Sequence, residues 1–204
     1  MEADLLTKKF GLHKDDYICA LSRLTEEKGI HYLIEAYQNV KTDKKLVIAG
    51  DTSDTDDYVM KLKKLAGNNP NIIFTWFVSG RTLEELYSNA YVYVLPSKLE
   101  GMPLSLLEAM SYGNCVIGSD IAEIADVVED KAILFKKANV EDLKEKLQMV
   151  CDDEQIVRKY KSEASEYICG KYNWEDVVNR TVEVYRGKKS CKEKLVENSS
   201  VASI

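Results

Sequence analysis

From Tyr17 onward, short apolar runs alternate with longer stretches in which apolar residues return every three or four positions. This alternation constrains the fold more than any other feature. Strands that are apolar along their whole length are buried on both faces, and helices between them supply the crossovers that parallel neighbours need. The pattern predicts strands at 17–21, 45–49, 72–76, 91–95, 115–117 and 133–135. Between them, Ile30, Leu33, Ile34 and Tyr37 recur at helical spacing, as do Val59, Leu62 and Leu65, and Leu83, Leu86 and Tyr87. These read as core positions without chemistry. The expected class is α/β, a doubly wound parallel sheet, followed after Val140 by helices only. From Gly187 the residues become polar and small, and 188–204 read as a flexible tail.

A chain of 204 residues can bury a core as one domain. Its formal charge of −6 argues against a general nucleic-acid or anionic-membrane surface. Cys19, Cys115, Cys151, Cys169 and Cys191 are scattered and lack metal-ligand spacing, so they read as reduced thiols. No stretch approaches the length that spans a bilayer. A soluble, cytoplasmic chain is expected.

In an open α/β sheet, ligands bind beyond the carboxyl ends of the strands, near the switch in strand order. Arg23, Gly50, Ser97 and Glu100 all follow predicted strands. The segment from Lys98 to Gly113 then reads as a loop and a helix, with Pro103 at the first helical position. The free amides of that first turn would face an anion. Glu100 precedes the turn and Glu108 lies inside the helix, so a pyrophosphate on the turn could carry a hydroxylated ring on each side. Alternatively, Glu100 is a solvated loop residue and Glu108 an ordinary surface residue. Leu104, Leu106, Leu107, Ala109 and Met110 surround Glu108, however, and a carboxylate on a mostly apolar, buried helix needs a partner or a ligand. Arg23 and Lys28 stand near a helix start, where cations oppose the dipole. Either a bound anion reverses that effect, or Glu26 and Glu27 neutralise both side chains.

Other templates have less material. His13 and His31 are the only histidines, too few for a zinc site or a histidine-based triad. The first turn, Leu21-Ser-Arg-Leu-Thr-Glu-Glu-Lys28, lacks the glycine pattern of a dinucleotide fold. The acidic run 51–57 lacks the spaced ligands of a calcium loop and reads as a solvated turn.

The E-x7-E spacing of Glu100 and Glu108, the preceding Pro96-Ser97 and the following Glu-Ala-Met-x-x-Gly resemble the signature of family-four retaining glycosyltransferases with the GT-B fold. Ser22-Arg-Leu-Thr-Glu-Glu-Lys-Gly29, Leu46-Val-Ile-Ala-Gly50, Ser119-Asp-Ile-Ala-Glu123 and Tyr172-Asn-Trp-Glu175 are similar to further segments of that family. The resemblance implies a Rossmann-like donor-binding domain over 15–187, with 1–14 as the lead-in from a missing N-terminal, acceptor-binding half. It implies that Arg23 and Lys28 contact the donor's diphosphate, Glu100 the sugar hydroxyls and Glu108 the ribose. Arg23, Lys28 and Glu100 are thereby the candidate catalytic residues. Gly101, Met102, Pro103, Leu104 and Ser105 would approach the sugar and phosphates, Ser22 and Gly50 would line the donor site, and the base would lie near Phe77 and Val78. Trp76 departs from the pattern by replacing a usual glycine, and reads either as a strand-end core aromatic or as a stacking partner for the base. Ser22 and Cys115 also replace commoner residues, and Asp126 stands where the family often has Glu.

The implied activity is transfer of a hexose from a nucleotide sugar, UDP-linked by preference, to an acceptor with retention, in bacterial polysaccharide or glycoconjugate synthesis. No metal or other cofactor is implied. The isolated chain is expected to be inactive without its N-terminal half, through which any peripheral membrane contact would run. Alternatives are a non-catalytic nucleotide-sugar-binding module and one half of a GT-B epimerase or phosphorylase.

Overall fold

A computed structural model describes residues 1–51 and 56–187. Strands β1 (Tyr17–Leu21), β2 (Lys45–Ala49), β3 (Ile72–Trp76), β4 (Val92–Leu95), β5 (Val116–Ser119) and β6 (Ile133–Phe135) pair in parallel in the order β3-β2-β1-β4-β5-β6. The expected α/β class is therefore the one found. Helices cover both faces, as the burial of successive residues requires. On one face Ile18, Ala20, Leu46, Ile48, Val92, Val94 and Ile117 join a core with α2 (Ile30–Tyr37), α3 (Asp56–Ala66) and α7 (Val140–Asp152). The alternate residues Tyr17, Cys19, Val47, Tyr93 and Val116 are equally buried on the other face.

Two strands differ from expectation at their ends. β4 starts at Val92, one residue later than the pattern; the Tyr91 amide still donates to the Tyr17 carbonyl at 2.8 Å, and the Tyr91 phenol donates to the Val150 carbonyl at 2.6 Å. β5 starts after Cys115 and runs on through Gly118 and Ser119, which carry no apolar signature. Gly118 is tolerated there because a Cβ would meet Ile124 Cγ2 at 2.7 Å, and Ser119 because its buried hydroxyl donates to the Ser97 carbonyl at 2.5 Å.

Residues 1–14 contribute α1 (Asp4–Phe10), which packs on α4 (Gly80–Ser88). Glu85, fully buried on α4, accepts from the Leu5 and Leu6 amides at 2.8 and 3.2 Å through Oε2, and from Arg81 Nε at 3.0 Å through Oε1. These amides are among the orphan donors of a helix start, so a carboxylate from another element caps α1. Burial alone would raise the Glu85 carboxyl, but the Arg81 and amide bonds outweigh it and hold the group below the usual range.

The chain divides into two compact units, Met1–Ile168 and the residues from Cys169 onward. Helices α5 (Leu104–Ser111) and α6 (Ala122–Val128) belong to the first, and α8 (Glu154–Lys171) runs through the division. In the second unit, α9 (Trp174–Tyr185) is capped by Asn173, whose side chain accepts from the Asp176 amide at 3.2 Å. The expected tail at 188–204, Cys191 and residues 52–55 of the acidic turn lie outside the described residues. Among those described, no helix is long and apolar enough to cross a membrane.

Candidate functional site

The sheet reverses its winding between β1 and β4, and the loops that follow these strands meet there. After β1 the chain makes a turn of 3₁₀ helix (Glu26–Lys28) ending on Gly29, whose left-handed φ of 67° and contact with Pro96 require glycine: a Cβ would sit 2.1 Å from the Pro96 carbonyl oxygen. The Lys98 amide donates to the Glu27 carbonyl at 2.7 Å and joins the two loops again. Lys28 Nζ thereby reaches Glu100 Oε1 at 2.8 Å, with both side chains largely withdrawn from solvent at 14% and 7% exposure.

The local glutamates do not neutralise both cations, contrary to that expectation. Arg23 pairs loosely with Glu27 at 3.7 Å and Glu26 turns to Lys61 at 3.1 Å, while Lys28 crosses to Glu100. Nor is Glu100 a solvated loop residue. The fully buried Ser97 hydroxyl donates to the same Oε1 at 2.6 Å, leaving Oε2 without a partner among the described residues.

Pro103 occupies the N-cap of α5 rather than its first turn, since its ψ of 68° is not helical. No side chain caps this helix. The Leu104 amide donates to the Met102 carbonyl, and those of Leu106 and Leu107 to the Pro103 carbonyl. The amides of Gly101, Met102 and Ser105 have no acceptor among the described residues, which leaves a cluster of donors at the positive end of the helix. Gly101 has ordinary backbone geometry, and a Cβ placed on it would meet nothing within 4 Å; the protein itself makes no demand for glycine there.

The helix is also less buried than its composition implies. Leu106, Ala109 and Met110 face the core, whereas Glu108 is exposed and Leu104 and Met102 are 58% and 46% exposed. These leucine and methionine side chains, with Leu99, form an apolar fringe beside the open donors. Glu108 Oε2 accepts from the Tyr87 hydroxyl at 2.9 Å. Helical spacing places Tyr87 in the core without chemistry; the available signal was a tyrosine where phenylalanine would have filled the same space, because a buried phenol needs a partner.

The remaining candidates lie on the β2 and β3 side. Gly50 has a φ of 133°, and a Cβ would fall 1.8 Å from the Ser22 carbonyl oxygen, so its glycine is required by the close passage of the β1 loop. The Gly50 amide donates to the Trp76 carbonyl at 3.1 Å. Phe77 is 71% exposed and Val78 half-buried. Trp76 is not a core aromatic: it adopts a left-handed φ of 59°, remains 37% exposed, stacks on Phe74 at 5.7 Å and lies under Lys63 Nζ at 4.8 Å. Among the described residues no group of three or more His, Cys, Asp or Glu side chains could hold a metal ion. Ser22, Arg23, Lys28, Glu100 to Ser105 and Glu108 thus share one rim at the switch in strand order, next to which Gly50, Phe77 and Val78 follow β2 and β3.

The model of the family described as glycosyl transferases group 1 matches residues 3–193. An uncharacterized glycosyltransferase of Methanocaldococcus jannaschii is 33% identical over 188 residues, covering 88% of this chain and 47% of that protein. The serotype-specific mannosyltransferase WbdA of Escherichia coli is 27% identical over 87% of this chain and 22% of its own length. Anabaena Alr3699/HepE, solved in complex with UDP and glucose, superposes with a TM-score of 0.83 at 19% identity over 91% of this chain and 52% of its own. The chain spans about half or less of the length of these relatives.

Proposed function

The chain belongs to the glycosyl transferases group 1 family, and from that premise we propose that it is the donor-binding half of a retaining, GT-B glycosyltransferase. The donor would be a nucleotide-linked hexose, with UDP favoured because the HepE neighbour was solved with UDP and glucose. One observation carries this reading: the Lys28–Glu100 pair, the open amides of Gly101, Met102 and Ser105 at the start of α5 and the Glu108 carboxylate converge on one rim, although they come from separate segments. A diphosphate on Gly101–Ser105 would meet the amides and the positive helix end, with Arg23 and Lys28 as neighbouring cations. Glu100 Oε2 would then accept from sugar hydroxyls and Glu108 from the ribose.

In the reaction the bond between the anomeric carbon and the phosphate oxygen breaks, and negative charge grows on the departing nucleoside diphosphate. Arg23, Lys28 and the α5 amides stabilise that charge without a metal. The acceptor, held by the N-terminal half against the apolar fringe of Leu99, Met102 and Leu104, would form the new bond from its hydroxyl oxygen to the anomeric carbon and pass its proton to the departing phosphate oxygen. The assembled enzyme would work in the cytoplasm, touching a membrane only through that half.

Calorimetric titration with UDP, GDP and ADP tests this. Binding of one nucleotide, weakened at least tenfold in Arg23→Ala and Glu108→Ala variants that keep their melting temperature, is the expected result. Silence toward all three, also after an acceptor-binding half is supplied, would sink the reading.

A further inference from the structure

We infer that Tyr87 is a positioning residue for donor binding, holding one oxygen of Glu108 so that the other is presented to the ligand; this rests on the donor-site reading above. Tyr87 sits on α4 with only 2% of its surface exposed. Its ring lies 5.9 Å from that of Tyr93 and stacks against Tyr112 at 5.5 Å and 17°. Its backbone is fixed as well. Asn114 Nδ2 donates both to the Tyr87 carbonyl at 2.8 Å and to the Ala109 carbonyl at 2.9 Å, which locks the end of α4 against α5. A phenol anchored in this way has one direction in which to donate, and Glu108 Oε2 lies there at 2.9 Å.

A comparison with the other buried tyrosines separates this contact from ordinary core satisfaction. Tyr17, Tyr37, Tyr91 and Tyr93 donate to backbone carbonyls, of Leu86, Lys44, Val150 and Leu21, and Tyr58 meets the ring of the equally buried His31. Tyr87 instead reaches the carboxylate of an exposed side chain on the rim. Burial, with Tyr93 and Glu108 nearby, pushes the phenol far above its ordinary range, so it stays a donor at every working pH. An exposed glutamate otherwise samples several rotamers, and immobilising it on binding costs affinity; a partner that fixes it beforehand removes that cost. Oε1 of Glu108 has no partner among the described residues and is left for ribose hydroxyls.

The experiment titrates UDP and 2′,3′-dideoxy-UDP into the wild-type chain, Tyr87→Phe, Glu108→Ala and the double variant, with GDP and ADP alongside. Tyr87→Phe keeps the ring stack and removes only the hydroxyl. It should weaken UDP about fivefold, the net scale of one ordinary hydrogen bond, because the effect is indirect. The same substitution should cost nothing further in the Glu108→Ala background, and should leave the dideoxy ligand within about twofold, because the effect runs through Glu108 to the missing hydroxyls. An unchanged UDP affinity, or an equal loss in both backgrounds or for both ligands, would make Tyr87 a packing residue and overturn the inference while leaving the donor site standing. A wild-type chain that binds none of the three nucleotides, also after an acceptor-binding half is supplied, would overturn the donor reading and this inference together.

Discussion

Glu85 and Glu100 are both largely withdrawn from water, and the chain treats them differently. Glu85, between α1 and α4, has both oxygens occupied by two backbone amides and a guanidinium. Glu100, at the rim between β1 and β4, has Lys28 and Ser97 crowded onto one oxygen and nothing from the described residues on the other. A burial cost met entirely from within marks a group that serves the fold. A carboxylate with one oxygen held by the protein and the other open to solvent keeps a lone pair that a ligand can take without breaking any bond within the chain. The glycines divide in the same way: Gly50 is demanded by the Ser22 carbonyl, whereas nothing in the protein approaches Gly101.

The glycine pair offers the largest effect. Gly50→Ala would drive a Cβ into backbone and should cost about 4 kcal/mol or more, enough to prevent folding. Gly101→Ala should leave the melting temperature within about 1 °C and weaken nucleotide-sugar binding about tenfold, on the scale of a lost close approach. A stable Gly50→Ala protein, or unaltered binding by Gly101→Ala, would break the division. Next comes Glu85→Ala, which strands two amides and should lower the melting temperature by about 5 to 10 °C. Nucleotide affinity of the folded fraction should stay within about twofold.

Glu100→Gln should show the converse, with about a tenfold loss for UDP-glucose, little change for UDP alone, and a melting shift of no more than about 3 °C. Equal losses for both ligands would place Glu100 on the nucleotide instead of the sugar. The smallest effect concerns His31, a buried group closed by Tyr58 at 2.8 Å. Burial, helped by Lys61, lowers its pKa from 6.5 to about 4. The unfolded chain therefore binds the extra proton between those values, and stability should fall as pH drops from about 6.5 to 4. Denaturant midpoints of His31→Gln should lose that slope while retaining the acid sensitivity due to Glu85.

The sheet was legible in the sequence because buried parallel strands are apolar throughout; β1, β2, β3 and β6 fall where the pattern puts them. The start of β4 and the bounds of β5 were not: Tyr91 lies before the strand although its amide still donates to the Tyr17 carbonyl, and Ser119 stays in β5 with its hydroxyl bonded to Ser97. The rim residues could be named from their position after strands and from their resemblance to a family. Their partners could not. Lys28 next to Glu100, Tyr87 next to Glu108 and Glu85 over α1 join distant segments, and helical spacing makes each of Tyr87 and Glu85 look like an ordinary turn of α4. The core reading of Trp76 fails because strand patterns carry no sign of a left-handed φ.

The strand order also sets a timetable. β1 is flanked by β2, which follows soon after it, and by β4, whose Val92 and Tyr93 must reach Ile18 and Cys19 from about 70 residues further along the chain. During synthesis at about 5–20 residues per second, one edge of β1 therefore waits on the order of 4 to 14 seconds for its neighbour. The loops after β1 and β4 meet only on that closure, so a nascent chain brings Lys28 to Glu100 in one late step, after a period in which an apolar strand edge is open to the wrong partner.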